Sequence, residues 1–145
     1  MRLLYFHQHF ATPRGASGTR SYEFARALIA RGHQVTIICG AHAQSGLELP
    51  YDAERSWHRG IIDGIDVISL PLTYANRDSL LRRGWTFLRF ALRSVRLALQ
   101  LEYDLVFATS TPITAVIPGL AAKWFRGKPF VFEVRDLWPE LPRAL

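Results

Sequence analysis

The chain has 145 residues, 49% of them hydrophobic and 21% charged, which fits one compact globular domain and excludes a disordered or fibrous chain. Its net charge of +6 comes from 18 basic residues, all Arg except Lys123 and Lys128, against 12 acids. The single cysteine, Cys39, has no partner for an intramolecular disulfide, and the apolar stretch Met1 to Phe6 is too short for a signal peptide, so a cytoplasmic protein is expected.

Arg2 to His7 reads as a strand. A polar, glycine-containing loop runs to Gly18, and Thr19 to Arg31 carries Phe24, Ala25, Leu28 and Ile29 on one helical face. Gly32 stands where a glycine ends a helix, and His33 to Cys39 is an apolar, β-branched run suited to a strand buried on both faces and parallel to the first. Gly40 to Arg59 is polar and without period, and reads as a surface loop. Ile61-Ile62 and Ile65 to Leu70 flank Asp63-Gly64, a two-residue hairpin turn, which places a third strand at Ile65 to Leu70. Ser79 to Leu101 is a long helical candidate, Asp104 to Ala108 a strand, Ile113 to Phe125 a helix and Phe130 to Val134 a last strand. This alternation predicts an α/β fold: a doubly wound, mainly parallel Rossmann-like sheet of about five strands in the order 3-2-1-4-5.

Ligands on such sheets bind at the carboxyl ends of the strands, which selects three places. The first is the loop Ala11 to Thr19, which opens directly into a helix and can offer backbone N–H groups and the helix dipole to a phosphate. Gly15 and Gly18 serve a tight turn equally well. Too few glycines are present for a dinucleotide fingerprint, the second strand ends without an acid for a ribose, and no Gly-Lys-Ser/Thr follows for a Walker loop, so NAD binding is disfavoured. The second place, Thr109-Ser110-Thr111-Pro112, offers three hydroxyls that could bind a ligand or cap the next helix. The third is the exit of the last strand, Glu133-Val134-Arg135-Asp136-Leu137-Trp138-Pro139-Glu140. There Glu133 and Arg135 share a face and could pair, while Asp136 turns toward the cleft.

The run Pro-Arg-Gly-Ala-Ser-Gly-Thr-Arg before the first helix, Ala-Arg-Gly-His-Gln-Val-Thr-Ile-Ile after it, and the late Glu-Val-Arg-Asp-Leu-Trp-Pro-Glu together resemble the N-terminal domain of family 4 glycosyltransferases. Within that family they are most similar to the bacterial enzymes of lipopolysaccharide and capsule assembly. The resemblance covers essentially the whole chain. It implies one half of a GT-B architecture: residues 1–145 as the acceptor-side domain, with a nucleotide-sugar-binding C-terminal domain absent from the sequence. It also implies retention of anomeric configuration, no metal, and no cofactor beyond the nucleotide-sugar co-substrate. Carried over by position, Gly15, Ala16, Ser17, Gly18 and Thr19 match the loop near the donor diphosphate and the acceptor, and Asp136 matches the acid taken here as catalytic. Thr109, Ser110, Thr111 and Glu133 would line the cleft. Arg135 stands where many relatives carry His; a guanidinium stays protonated and cannot act as a base, so it would hold a phosphate or fix Asp136.

The basic charge is local. Between Arg77 and Leu101 there are six Arg (77, 82, 83, 89, 93 and 96) and one acid, Asp78. On a helical wheel Arg82, Arg89, Arg93 and Arg96 fall within an arc of about 60°, flanked by Leu81, Trp85, Leu88, Leu92 and Leu99 on one side and Phe90, Leu97 and Leu101 on the other. One apolar side can pack on the sheet, which leaves the other to be explained. A spanning helix is disfavoured, since each Arg near the centre costs about 2.5–3.5 kcal/mol. Contact with the inner face of the plasma membrane through these four Arg is expected, with a core helix bearing one solvated face as the alternative. His7, His9, His33, His42 and His58 lack metal-ligand spacing, and nucleic-acid binding lacks interleaved exposed aromatics. The sequence thus predicts a transferase domain that binds a polyprenyl-diphosphate-linked acceptor sugar, opposite a nucleotide sugar. The rival is a stand-alone, non-catalytic module that binds anionic lipid or an acidic partner through the Arg helix.

Overall fold

The structure, a computed structural model, describes residues 1–73, 78–110 and 112–135. In chain order its elements are strand β1 (Arg2–Phe6), helix α1 (Arg20–Ala30), β2 (Gln34–Gly40), β3 (Tyr51–Asp52), β4 (Trp57–Ile62), β5 (Ile65–Leu70), helix α2 (Leu80–Gln100), β6 (Leu105–Thr109), a 3-10 turn (Ile113–Ala115), helix α3 (Val116–Arg126) and β7 (Phe130–Glu133). They form one seven-stranded sheet in the order β3-β4-β5-β2-β1-β6-β7. The five strands β5-β2-β1-β6-β7 run parallel, in the order expected from the sequence.

The two added strands are antiparallel and extend the outer edge. They correct the reading of Gly40 to Arg59 as loop, because that stretch holds β3 and the start of β4. β4 lies between the two-residue β3 and β5, and its residues are all only partly buried or exposed, so no apolar alternation marks it. It is held by pairing with β5 and by Arg59, which donates two hydrogen bonds to the Asp66 carboxylate, at 3.0 and 2.8 Å. Asp63 and Gly64 both take positive φ, 48° and 85°, as the expected two-residue hairpin requires.

Alternation along the buried strands splits the core in two. Leu4, Phe6, Ile38, Ile68 and Val106 face α2 and α3, where they meet Phe90, Leu97 and Ala122. Leu3, Tyr5, Ile37, Ile65 and Val67 face α1 and enclose Ala25 and Cys39. Each such aliphatic or aromatic side chain taken fully out of water contributes about 1.5–3 kcal/mol. The thiol of Cys39 lies inside this second layer, and burial pushes its pKa up to about 12. At the amino edge the chain start is latched: Arg2 donates through its backbone N–H (2.7 Å) and guanidinium (3.1 Å) to the Asp104 carboxylate. Among the described residues no helix is long and apolar enough to cross a membrane.

Candidate functional site

The carboxyl ends of β1, β6 and β7 lie side by side, and the polar groups of two of the three selected places meet there. Thr109, the last residue of β6, is buried, and its hydroxyl donates to Glu133 Oε2 at 2.7 Å. The other carboxylate oxygen of Glu133 accepts from the guanidinium of Arg20, the first residue of α1. Ser110 closes the same corner: its N–H donates to the Glu133 carbonyl at 2.9 Å, and its hydroxyl accepts from the Arg135 N–H at 2.7 Å. The expected pairing of Glu133 with Arg135 is therefore replaced by pairing with Arg20, and Arg135 is left exposed at the mouth. Thr109 and Ser110 are not the N-caps of the helical elements that follow either: those positions fall to Pro112 for the 3-10 turn and Ala115 for α3, neither with a side-chain cap bond. Thr111 and Asp136 lie outside the described residues.

The glycine-containing loop is built differently from the phosphate cradle the sequence led us to expect. Three of its N–H groups are already taken: Thr12 donates to Ser45 O (2.9 Å), Gly15 to Thr12 O (2.9 Å) and Ala16 to Gln44 O (3.0 Å). Gly15 is required by this docking. A Cβ there would collide with the Gln44 carbonyl and stand 2.7 Å from the carbonyl carbon of Ser45. Gly18, in contrast, has open space where its side chain would be. Thr19 gives α1 no side-chain cap, so the positive end of the helix dipole remains available at Ser17 to Thr19, next to the 65%-exposed guanidinium of Arg20.

Behind this mouth lie groups that the sequence reading left out. His7 is buried, and its Nδ1 lies 2.7 Å from the Ser21 hydroxyl, which also accepts from Tyr5 at 3.0 Å. Burial lowers the pKa of His7 to about 3, and the positive surroundings of His9, Arg135 and His42 act in the same direction. His9, packed edge-on to His42 and Phe87, is lowered to about 4, again by burial first. Both imidazoles are thus neutral at physiological pH. The carboxamide oxygen of Gln8, between them in sequence, is buried and has no hydrogen-bond partner among the described residues. A cavity of 280 Å³ is lined among others by His42, Ser45 and Glu48 from the segment after β2, His58 of β4 and Thr73 beyond β5.

The sequence profile of the glycosyl transferase 4-like domain matches residues 15–145. The chain belongs to this family. No curated protein matches it. Among solved structures it is similar to the C-terminal domain of a hydrogenase from Pyrococcus furiosus, with 17% identity and a TM-score of 0.56 over 91% of this chain and 90% of that chain. Likeness at that identity concerns the shared α/β, Rossmann-like fold alone. Family membership makes this a glycosyl-transfer domain, and the matched range takes in the second and third selected places and the Gly15 to Thr19 part of the first. Arg20 could have been found from the sequence, as the cation that directly follows the glycine loop. Its partner Glu133, 113 positions away, could not. Among the described residues no group of three His, Cys, Asp or Glu could hold a metal ion.

Proposed function

We propose that this glycosyl transferase 4-like domain holds the acceptor of a retaining, nucleotide-sugar-dependent transfer in cell-surface polysaccharide synthesis. The observation that carries the proposal is the Arg20–Glu133–Thr109 network at the carboxyl edge. Both oxygens of Glu133 are engaged, so this carboxylate acts as a positioning group that fixes Arg20 at the α1 N-terminus. Arg20, Arg135 and the helix dipole then supply positive charge for a diphosphate, with Ser17 to Thr19 contributing N–H groups. Asp136, one position beyond Arg135, accepts a hydrogen bond from the acceptor hydroxyl and orients it. The main donor contacts belong to a second domain.

A lipid-linked acceptor fits the outer surface of α2. Leu81 is 88% exposed, Trp85 60% and Leu92 56%, while Phe90 and Leu97 pack inward. This apolar stripe with flanking Arg supports peripheral docking on the inner face of the plasma membrane. In the full enzyme, assayed against a panel of nucleotide sugars, Asp136→Asn should lower turnover by roughly 10²- to 10⁴-fold while the melting temperature changes little. Near-normal turnover would remove Asp136 from the chemistry, and loss of activity and folding together would make it a structural partner of Arg135.

A further inference from the structure

A second cavity lies between the β3–β4 turn and the C-terminal half of α2, and shares no residue with the three places at the carboxyl edge. Its volume is 390 Å³, within the range of small-molecule sites. The floor is apolar, from Trp57, Leu70, Leu97 and Leu101, and three guanidiniums border it: Arg55, Arg93 and Arg96. Glu54 is the one acid among the lining residues and Asp52 lies 3.8 Å from Arg55, which leaves one positive charge in excess. The arrangement is held in place. Arg93 donates to the Ser56 carbonyl at 2.9 Å, which steadies a turn whose Ser56 has a φ of 56°, and Arg55 lies over the Trp57 ring at 5.7 Å. Arg96 forms no ion pair among the described residues.

We propose that this cavity binds a phosphate ester. Three guanidiniums around an apolar floor match a phosphate that needs several charge-assisted donors and a body that prefers an unhydrated wall. The four Arg that form one stripe in the sequence are thereby divided. Arg82 lies 3.5 Å from Asp78 and Arg89 is exposed, whereas Arg93 and Arg96 turn to the cavity. The same phosphate chemistry is offered by a lipid headgroup and by a soluble phosphate ester.

Glycerol 3-phosphate is the first probe, followed through the indole N–H resonance of Trp57, which has no hydrogen-bond partner among the described residues. A saturable shift is expected. Arg96→Gln should weaken it by about tenfold or more, Arg96→Lys by less, and Arg89→Gln should leave it unchanged. Glu54→Gln should tighten it, an effect that a merely structural role of this turn would not produce. No saturable shift, or equal affinity in Arg96→Gln and the parent chain, would overturn the proposal. Phosphatidylglycerol vesicles separate the sources. Loss of vesicle binding in Arg96→Gln beyond that in Arg89→Gln marks a headgroup site. Equal small losses, with glycerol 3-phosphate binding still dependent on Arg96, mark a soluble ester.

Discussion

The carboxyl edge and the outer surface of α2 both carry charged groups, yet they use them in opposite ways. At the edge nearly every polar atom described has a protein partner: Glu133 has two, Ser110 has two, and the amides of Thr12, Gly15 and Ala16 are spent on carbonyls. On α2 the guanidinium of Arg89 and the side chains of Leu81, Trp85 and Leu92 face outward. The difference separates two kinds of binding surface. A closed polar network presents a ligand with groups already oriented, so little ordering is left to be done when it arrives. An open amphipathic surface orients nothing and works through summed charge and apolar area.

The largest test of the closed edge is pH. The unfolded chain takes up protons at His7 and His9 near pH 6.5, which the native chain refuses until about 3 and about 4. Native stability is therefore full above pH 6.5 and falls as pH is lowered, by about 1.4 kcal/mol per unit for each histidine, or about 3–4 kcal/mol between pH 7 and pH 5. Denaturant unfolding at the two pH values measures this, and His9→Gln should remove close to half of the difference. Equal stability at pH 5 and 7 would mean that the edge is open to water and that the contrast with α2 fails.

Gly15→Ala sharpens the comparison next. Its new methyl group meets the backbone of Gln44 and Ser45 and not a flexible side chain, so a loss of about 1–3 kcal/mol is expected, read as a lower denaturation midpoint. Gly18→Ala, with nothing nearby, should stay close to the parent. The smallest effect belongs to α2. Arg82→Gln and Arg89→Gln should each weaken binding to anionic vesicles by about 1 kcal/mol at low salt, and Trp85→Ser should weaken it at any salt, all without change in fold stability. Unchanged sedimentation with vesicles in the triple variant would take α2 away from the membrane.

The same contrast decides what was legible in the sequence. The α2 stripe could be read directly because helical geometry is fixed: once the period is known, Leu81, Trp85, Leu88, Leu92 and Leu99 must share a side. Strand order was legible for a similar reason, since buried parallel strands are continuous apolar runs joined by crossover helices. β4 was not, because its half-covered residues, among them the ion-paired Arg59, carry no alternation. At the carboxyl edge the sequence located Glu133, Thr109 and Ser110 but not their partners. Adjacency in the chain favoured Glu133 with Arg135, whereas the fold brings Arg20 closer, through the parallel registers of β1, β6 and β7.

The burial of Cys39 has a practical consequence. Disulfide exchange, alkylation and oxidation all proceed through the thiolate, and a thiol held near 12 inside the α1 layer ionises hardly at all at neutral pH. The Cys39 thiol of the folded chain is therefore expected to resist maleimides. A cysteine introduced on an exposed position such as Leu92 would be the one reactive thiol, so a single dye placed there could report contact with a bilayer without any need to remove the native cysteine.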